Sequence, residues 1–413
     1  MGASASKHVP KIFQDLDDFD RKSAVEYEEA FKSGGMSKLS KKIEEDIGKW
    51  RNVPVNIAVT GNSGVGKSSF INSYRGLKAK SEGAAAVGVN ETTMEPTKYM
   101  HPNNNSVALW DLPGMGTKEF PKETYLEKVH FQTYDYFIII TATRFTENDI
   151  WLANEVQKLQ KKFFFIRTKM NMDVENDAHD YPGTSKSDTV NKVREEMKQH
   201  VSKEHFENTK VYLIDNHFVL DYDFPNLVET MIKEAPTLKQ EAMALTLTIL
   251  TENIINQKRS ALRKRILVVA LGSAAGGAVP LPGTSLAVDA AIVMGEVEFY
   301  KQQFGLNDKS LHENARSLEI DVENLKERLN ITRQLAVAST RLIATVVSKM
   351  ALSEVAEKVT AFVLPVLGSV IAAGISYGST VSVLMSILDE CVSDAQIINK
   401  QLMQKMSESD CHK

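Results

Sequence analysis

The sequence predicts an α/β domain with a mostly parallel sheet, inserted between the N- and C-terminal parts of an all-α helical domain. Three observations predict it. Residues 1–51 are polar and compatible with helix, short β-rich apolar runs alternate with longer helical patterns from Val55 to about Ala235, and strand signals stop from Thr237 onward. Near-continuous apolar strands separated by helices indicate a parallel sheet covered on both faces.

In chain order, residues 1–51 hold two helical patterns, Ala24–Phe31 and Met36–Trp50, interrupted by Gly34-Gly35. In the second, Leu39, Ile43, Ile47 and Trp50 recur at helical spacing. Residues 52–236 form the second part, with strands expected at Val55–Thr60, Val107–Asp111, Tyr136–Thr141, Phe163–Thr168 and Val211–Ile214, closed by Pro236. Residues 237–413 form the third, in which Leu311, Ala315, Leu318, Val322, Leu325 and Leu329 mark a helical stripe. The two helical parts are expected to pack together, because each leaves an apolar stripe to bury.

Composition excludes several classes. There are 49 Lys and Arg against 53 Asp and Glu, a net charge of −4, so no concentrated positive surface for nucleic acid is expected. A hydrophobic fraction of 43% and a charged fraction of 25% exclude a disordered or collagen-like chain. Cys391 and Cys411 are too few for a disulfide framework or a four-ligand zinc site, which points to the cytosol. Asp15, Asp17, Asp18, Asp20 and Arg21 stand where a secretory signal would need an apolar run.

The N-terminus carries another address. Met1-Gly2-Ala3-Ser4-Ala5-Ser6 fits the pattern in which Met1 is removed and the Gly2 amine is myristoylated. One acyl chain gives only reversible attachment, about 10⁴ M⁻¹, so switched membrane binding is expected. Two uncharged stretches, Ile266–Val288 and Val359–Leu388, contain Pro and several Gly. Burial inside the helical domain is the favoured expectation, and a hairpin inserted into or lying on a membrane is the alternative.

The chemistry begins at Gly61-Asn62-Ser63-Gly64-Val65-Gly66-Lys67-Ser68, followed by Ser69, which satisfies G-x-x-x-x-G-K-[ST]. It stands directly after an expected strand and before an expected helix. Glycines let successive N–H groups turn inward around a phosphate, and the helix N-terminus adds a favourable dipole. Lys67 is expected on the β- and γ-phosphates and the Ser68 hydroxyl on Mg²⁺. Downstream, Val107–Asp111 ends in a carboxylate followed by Leu112-Pro113-Gly114. That order suits Asp111 acting on the metal through water and a Gly114 amide that senses the γ-phosphate, and it favours a P-loop GTPase domain over a small-molecule kinase.

Between these motifs Gly83–Glu95 resembles a first switch loop, in which a threonine joins Mg²⁺ and γ-phosphate. Spacing leaves Thr92 and Thr93 both open, and Thr93 is preferred. After the strand ending near Arg167, Thr168-Lys169-Met170-Asn171 occupies the base-reading position, where GTPases usually present [NT]-K-x-D. A neutral Asn171 offers only one acceptor oxygen to guanine, unless Asp173 takes the role. Asp215 and Asn216, after the last strand, are positioned to touch the base. Met115 follows Gly114 where many GTPases place a water-orienting glutamine, so hydrolysis must be slow in the monomer or be completed by another group such as Glu91 or a residue of a second molecule.

Taken together these residues resemble the interferon-inducible immunity-related GTPases of vertebrate cell-autonomous defence. The resemblance is carried by Val55–Gly61 leading into Gly64–Asn72, by Trp110–Gly114, Thr124–Lys128 and Phe163–Lys169, and by Met1-Gly2. Lys67 is similar to the lysine-bearing branch rather than to members with Met there. The resemblance implies GTP and GDP with Mg²⁺ as ligands, dimerisation and higher oligomers through the nucleotide domains, and hetero-oligomers with related GTPases. It also implies assembly on intracellular membranes or pathogen-containing vacuoles that stimulates hydrolysis, with Glu91 as a switch-loop glutamate used in the dimer. Asn171 departs from the TKxD form. A nucleotide-binding scaffold with little hydrolysis, and a xanthosine preference through Asn171, are the competing expectations.

Overall fold

Six short strands carry enough apolar residues to build one buried sheet, and the helices around them cover both faces. The computed structural model describes residues 21–88, 95–115, 120–204, 206, 209–248, 251–276, 284–329 and 374–411. The chain divides into two compact units, Trp50–Ile249 and the segments on either side of it, Met1–Lys49 with Leu250–Lys413. This is the inserted arrangement expected from composition.

In the inserted unit β1 (Val55–Thr60) lies between β3 (Asn104–Asp111) and β4 (Tyr136–Thr141), in the order β2-β3-β1-β4-β5-β6. β5 (Lys162–Arg167) and β6 (Val211–Leu213) extend the sheet beyond β4. Every pairing is parallel except that of β2 (Thr97–His101) with β3. β2 was not among the expected strands. It is an edge strand in which only His101 is buried, so it shows no continuous apolar run. By contrast β4 is buried at every position, which is why it is legible.

The strand order reverses at β1, whose neighbours β3 and β4 are reached by connections running in opposite directions along the sheet. Such a switch point opens a crevice at the carboxyl ends of the strands. Two apolar clusters brace the sheet. One gathers Ala58, Leu112, Phe120, Tyr125, Val129, Phe131, Tyr134 and Phe137. The other gathers Phe145, Phe165, Met170, Met197, Val201 and Phe206 among its members.

The helices of this unit are α2 (Lys67–Tyr74), α3 (Lys122–Lys128), α4 (Glu147–Lys158), α5 (Met170–Asp180), α6 (Lys186–Lys203), α7 (Phe224–Lys233) and α8 (Thr237–Thr246). Residues 237–249, expected in the C-terminal helical part, belong to this compact unit. The reason is local: α8 buries Ala242, Met243 and Leu245, and Asn103 and Asn104 hold its end by donating to the Thr246 carbonyl at 3.1 Å and hydroxyl at 3.2 Å.

In the helical unit α1 (Arg21–Gly48) breaks at Gly34 and Gly35, the latter at φ 60°, as the Gly-Gly interruption implies. The two halves meet where Tyr27 donates to Asp46 at 2.8 Å and Lys42 pairs with Glu26 at 2.9 Å. α9 (Glu252–Gly276) packs along α13 (Gly374–Cys411), α1 and α10 (Thr284–Gln303); α11 (Asp308–Leu318) and α12 (Val322–Arg328) follow α10 in the chain. Arg265 on α9 ties three of these helices together. It donates to Glu296 on α10 at 2.6 Å, to the Ile47 carbonyl of α1 at 2.9 Å, and lies over the Phe299 ring.

Among the described residues no helix is long and apolar enough to cross a membrane. The first half of Val359–Leu388, a stretch expected to be core or membrane hairpin, lies outside the described residues; its second half, from Gly374, belongs to α13. Because the Arg265–Glu296 pair is nearly buried, with side-chain exposures of 10% and 8%, removing one partner strands the other charge. Glu296→Ala is expected to lower unfolding free energy by about 3 kcal/mol or more, measured by urea denaturation. Loss within the range of a surface substitution would contradict this.

Candidate functional site

β1 delivers the chain at the sheet's switch point into Gly61–Gly66, and α2 begins at once with Lys67. Gly66, at φ 98° and ψ 25°, is the helix N-cap with no side-chain cap, so the first amides of α2 face the loop. Two glycines are required here. A Cβ on Gly61 would collide with the Ile140 carbonyl oxygen, and one on Gly66 would come within 3.0 Å of Asn216 Nδ2 at a backbone angle that side chains rarely adopt. The loop can therefore lie this close to its neighbours only as glycine. Asn62, Ser63 and Gly64 are exposed at its mouth, Val65 is buried beneath, and Ser69 is half-buried on the first turn of α2.

Lys67 arches back over the loop, donating from Nζ to the carbonyls of Gly61 at 2.9 Å and Asn62 at 3.2 Å. Its charge is felt by Asp149 on α4. Burial pushes the Asp149 carboxyl up, opposed by hydrogen bonds from the Thr146 amide and hydroxyl, each 2.8 Å, and by Lys67. The β1–β3 register sets Val59 beside Asp111. That pairing brings the Ser68 hydroxyl to Asp111 Oδ2 at 3.4 Å, with Asp111 only 2% exposed. A hydroxyl and a carboxylate side by side are hard oxygen donors of the kind Mg²⁺ takes, and the glycine cradle suits a phosphate. These residues fit the expected nucleotide and metal: Ser68 and Asp111 would hold the ion, and Lys67 with the loop amides the phosphates.

The base side is built from two loops locked to the cradle. Thr168, fully buried, donates to the Val65 carbonyl at 2.6 Å, bridging the phosphate loop and the end of β5. Asn216 donates from Nδ2 to the Gly66 carbonyl at 3.1 Å and receives Ser73 Oγ on its own carbonyl at 2.6 Å. Its Oδ1 is enclosed and accepts no hydrogen bond from the described residues. Lys169, in the left-handed conformation at φ 63°, is exposed at the start of α5.

Asn171 is half-buried. Its amide donates to Glu175 Oε1 at 2.6 Å and accepts from the Tyr222 hydroxyl at 3.4 Å. Asp173, the alternative to Asn171 at the base position, is paired with Arg167 at 2.6 Å. Burial pushes the Asp173 carboxyl up and the Arg167 guanidinium down even so. Asp215, expected to touch the base, is 5% exposed and spends both oxygens on backbone amides, those of Asn171 at 3.1 Å and His217 at 2.9 Å. It clamps the two base-side loops to each other.

Gly114 and Met115 are half-exposed past the end of β3. Met115 rests against the aromatic cluster under the sheet, and Asn148 on α4 donates to its carbonyl at 3.4 Å. Gly2, Glu91, Thr92 and Thr93 lie outside the described residues. Asp149, Asn148 and Tyr125 lie around the site without being expected in it; Asp149 left a signal in the helix capping box Thr146-Glu147-Asn148-Asp149, and Tyr125 in the run Thr124–Lys128 that carries the family resemblance.

Sheet order, switch-point loop and the paired hydroxyl and carboxylate together define a P-loop domain of the GTPase fold. Residues 22–402 match the family described as Interferon-inducible GTPase (IIGP), and the chain belongs to that family. Among relatives, mouse Interferon-inducible GTPase 1 is 38% identical over 273 residues, 66% of each chain, so the match spans just under two thirds of that protein. Rat Interferon-inducible GTPase 5 is 32% identical over 380 residues, 91% of this chain and 81% of the relative. A solved structure of Aquifex aeolicus Era bound to GDP and AlF4 is 19% identical, covering 53% of this chain and 66% of that one, at a TM-score of 0.31.

Thr168→Val keeps the shape of the side chain but leaves the buried Val65 carbonyl without its donor. It is expected to cost about 2 kcal/mol of stability, read by urea denaturation, and a neutral result would show that the bridge is dispensable.

Proposed function

We propose that this chain binds GTP with Mg²⁺, hydrolyses it to GDP and phosphate, and uses its nucleotide state to control self-assembly. The observation that carries the reading is the cradle: glycines that admit no side chain, the Lys67 ammonium arched over them, and Ser68 beside Asp111. In it Lys67 contacts the β- and γ-phosphates, Ser68 and Asp111 hold the metal with Thr93 joining in the triphosphate state, and the Gly114 amide senses the γ-phosphate. Met115 cannot orient a water, so a group from a second molecule, or Glu91, completes hydrolysis. Homodimers and higher oligomers through the G domains, and hetero-oligomers with related GTPases, follow from that need. The Gly2 signal supports reversible attachment of a cytoplasmic protein to intracellular membranes, and family membership supports a role in defence against intracellular pathogens.

Calorimetry with Mg²⁺ and GTP or GDP tests the first step. Lys67→Ala is expected to weaken binding by more than about a hundredfold and to abolish assembly with it. Assembly that survives in this variant would break the coupling. Hydrolysis per molecule is expected to rise with protein concentration and with added vesicles. A rate that stays at background in assembled protein would support the scaffold reading instead.

Asn171 favours a second reading, of the base. With one N–H committed to Glu175, its amide still offers one N–H and an oxygen. Guanine presents two donors at this edge, N1–H and the 2-amino group, whereas xanthine presents N1–H and a 2-oxo acceptor. The amide matches the second pattern. Competition between guanosine and xanthosine triphosphates is expected to favour xanthosine by at least about tenfold, and Asn171→Asp to reverse it. Guanosine preference in the unaltered protein would remove this reading and leave the phosphate site untouched.

A further inference from the structure

We infer that Tyr125 is a positioning residue which aims the Gly114 amide, and through it sets how strongly the site prefers a triphosphate to a diphosphate. The inference rests on the nucleotide-binding reading and deepens it. Tyr125 sits on α3 with no exposed surface, and its hydroxyl donates to the Pro113 carbonyl at 3.0 Å. That carbonyl and the Gly114 N–H belong to one peptide unit. The unit is planar and, with no cis peptide among the described residues, trans, so its oxygen and its N–H point in opposite directions. Pinning the oxygen toward the Tyr125 hydroxyl turns the Gly114 N–H away from it and from the aromatic cluster that holds Tyr125.

Neighbouring contacts hold the same segment. The Leu112 N–H donates to the Val59 carbonyl at 3.0 Å, and Asn148 holds the Met115 carbonyl on the far side. The Tyr125 hydroxyl also lies 3.5 Å from that of Thr60, the last residue of β1 before the cradle. One hydroxyl thus touches both the root of the phosphate loop and the peptide that carries the sensing amide. Burial pushes the phenol far up, so it remains a donor across the working pH range. The ring packs edge-on against Phe120 at 6.4 Å, which lets the ring stay in place when the hydroxyl is removed.

An amide stabilises developing or bound charge in proportion to how well it is aimed beforehand. On the proposed nucleotide reading a diphosphate stops short of Gly114, whereas the γ-phosphate reaches it. Losing the Tyr125 hydroxyl therefore penalises the triphosphate alone. Removing a fold-supporting hydrogen bond elsewhere would lower stability without changing the ratio of the two affinities.

The test titrates the Mg²⁺-loaded full chain and its Tyr125→Phe variant with guanosine and xanthosine diphosphates and with their β,γ-imido triphosphates. For whichever base binds, the diphosphate affinity is expected to stay within about twofold, and the imido-triphosphate affinity to fall by roughly fivefold or more. Retained diphosphate binding also reports that the variant is folded. Tyr134→Phe is the control: it removes a hydroxyl that donates to the Val129 carbonyl at 2.7 Å in the same cluster. It is expected to lower the melting temperature and leave both affinities unchanged. Equal weakening of both ligands by Tyr125→Phe, or no change in either, overturns the inference while the nucleotide reading stands. If the unaltered chain binds none of the four nucleotides, that reading fails and the inference falls with it.

Discussion

The parallel pairing of β1 with β3 is the constraint on which the rest of the site depends. It puts Val59 level with Asp111, and the carboxylate at the end of one strand then meets a hydroxyl on the helix that follows the other. A slip of one residue in a strand turns each side chain to the opposite face. Asp111 would then leave Ser68, and no other described carboxylate stands in its place. Both strands bury apolar residues on the two sides of the sheet, so the register is held by the core itself. The polar site is thus positioned by apolar packing.

Around that pair the phosphate loop is held by buried and half-buried polar groups. Thr168 and Asn216 fasten it to the base-side loops, and Asp215 fastens those loops to each other. Loops that carry binding groups gain affinity when they are held in the bound shape beforehand, because less freedom is lost on binding. The polar contacts here serve that purpose. At Asp149, burial pushes the carboxyl up while Thr146 and Lys67 oppose it, so the enclosure around the site also penalises charge within it.

Much of this was readable beforehand where local chemistry sufficed. β1 and β4 read directly as apolar runs, and the phosphate loop as a spacing of Gly, Lys and Ser between a strand and a helix. The missed strand, β2, has only one covered residue, and an edge strand without an apolar run looks like loop. The boundary near Pro236 was misplaced because α8 has helical periodicity like the residues after it, and periodicity says nothing about which unit a helix packs on. Asp173 and Asp215 were plausible base contacts by position. They are otherwise engaged because Arg167 and two backbone amides come close to them only in the folded chain.

By itself the sequence determined which residue types stand at the positions proposed for phosphate, metal and base, that Asn171 stands where GTPases usually present a carboxylate, and that Met115 stands where many place a glutamine. Those properties are covalent and survive unfolding. Only the tertiary structure decided which of the candidates meet, which spend their charge elsewhere, and which unannounced groups aim the backbone. Such contacts join residues far apart in the chain, as Tyr125 and Thr60 are, and local patterns of polarity hold no record of them.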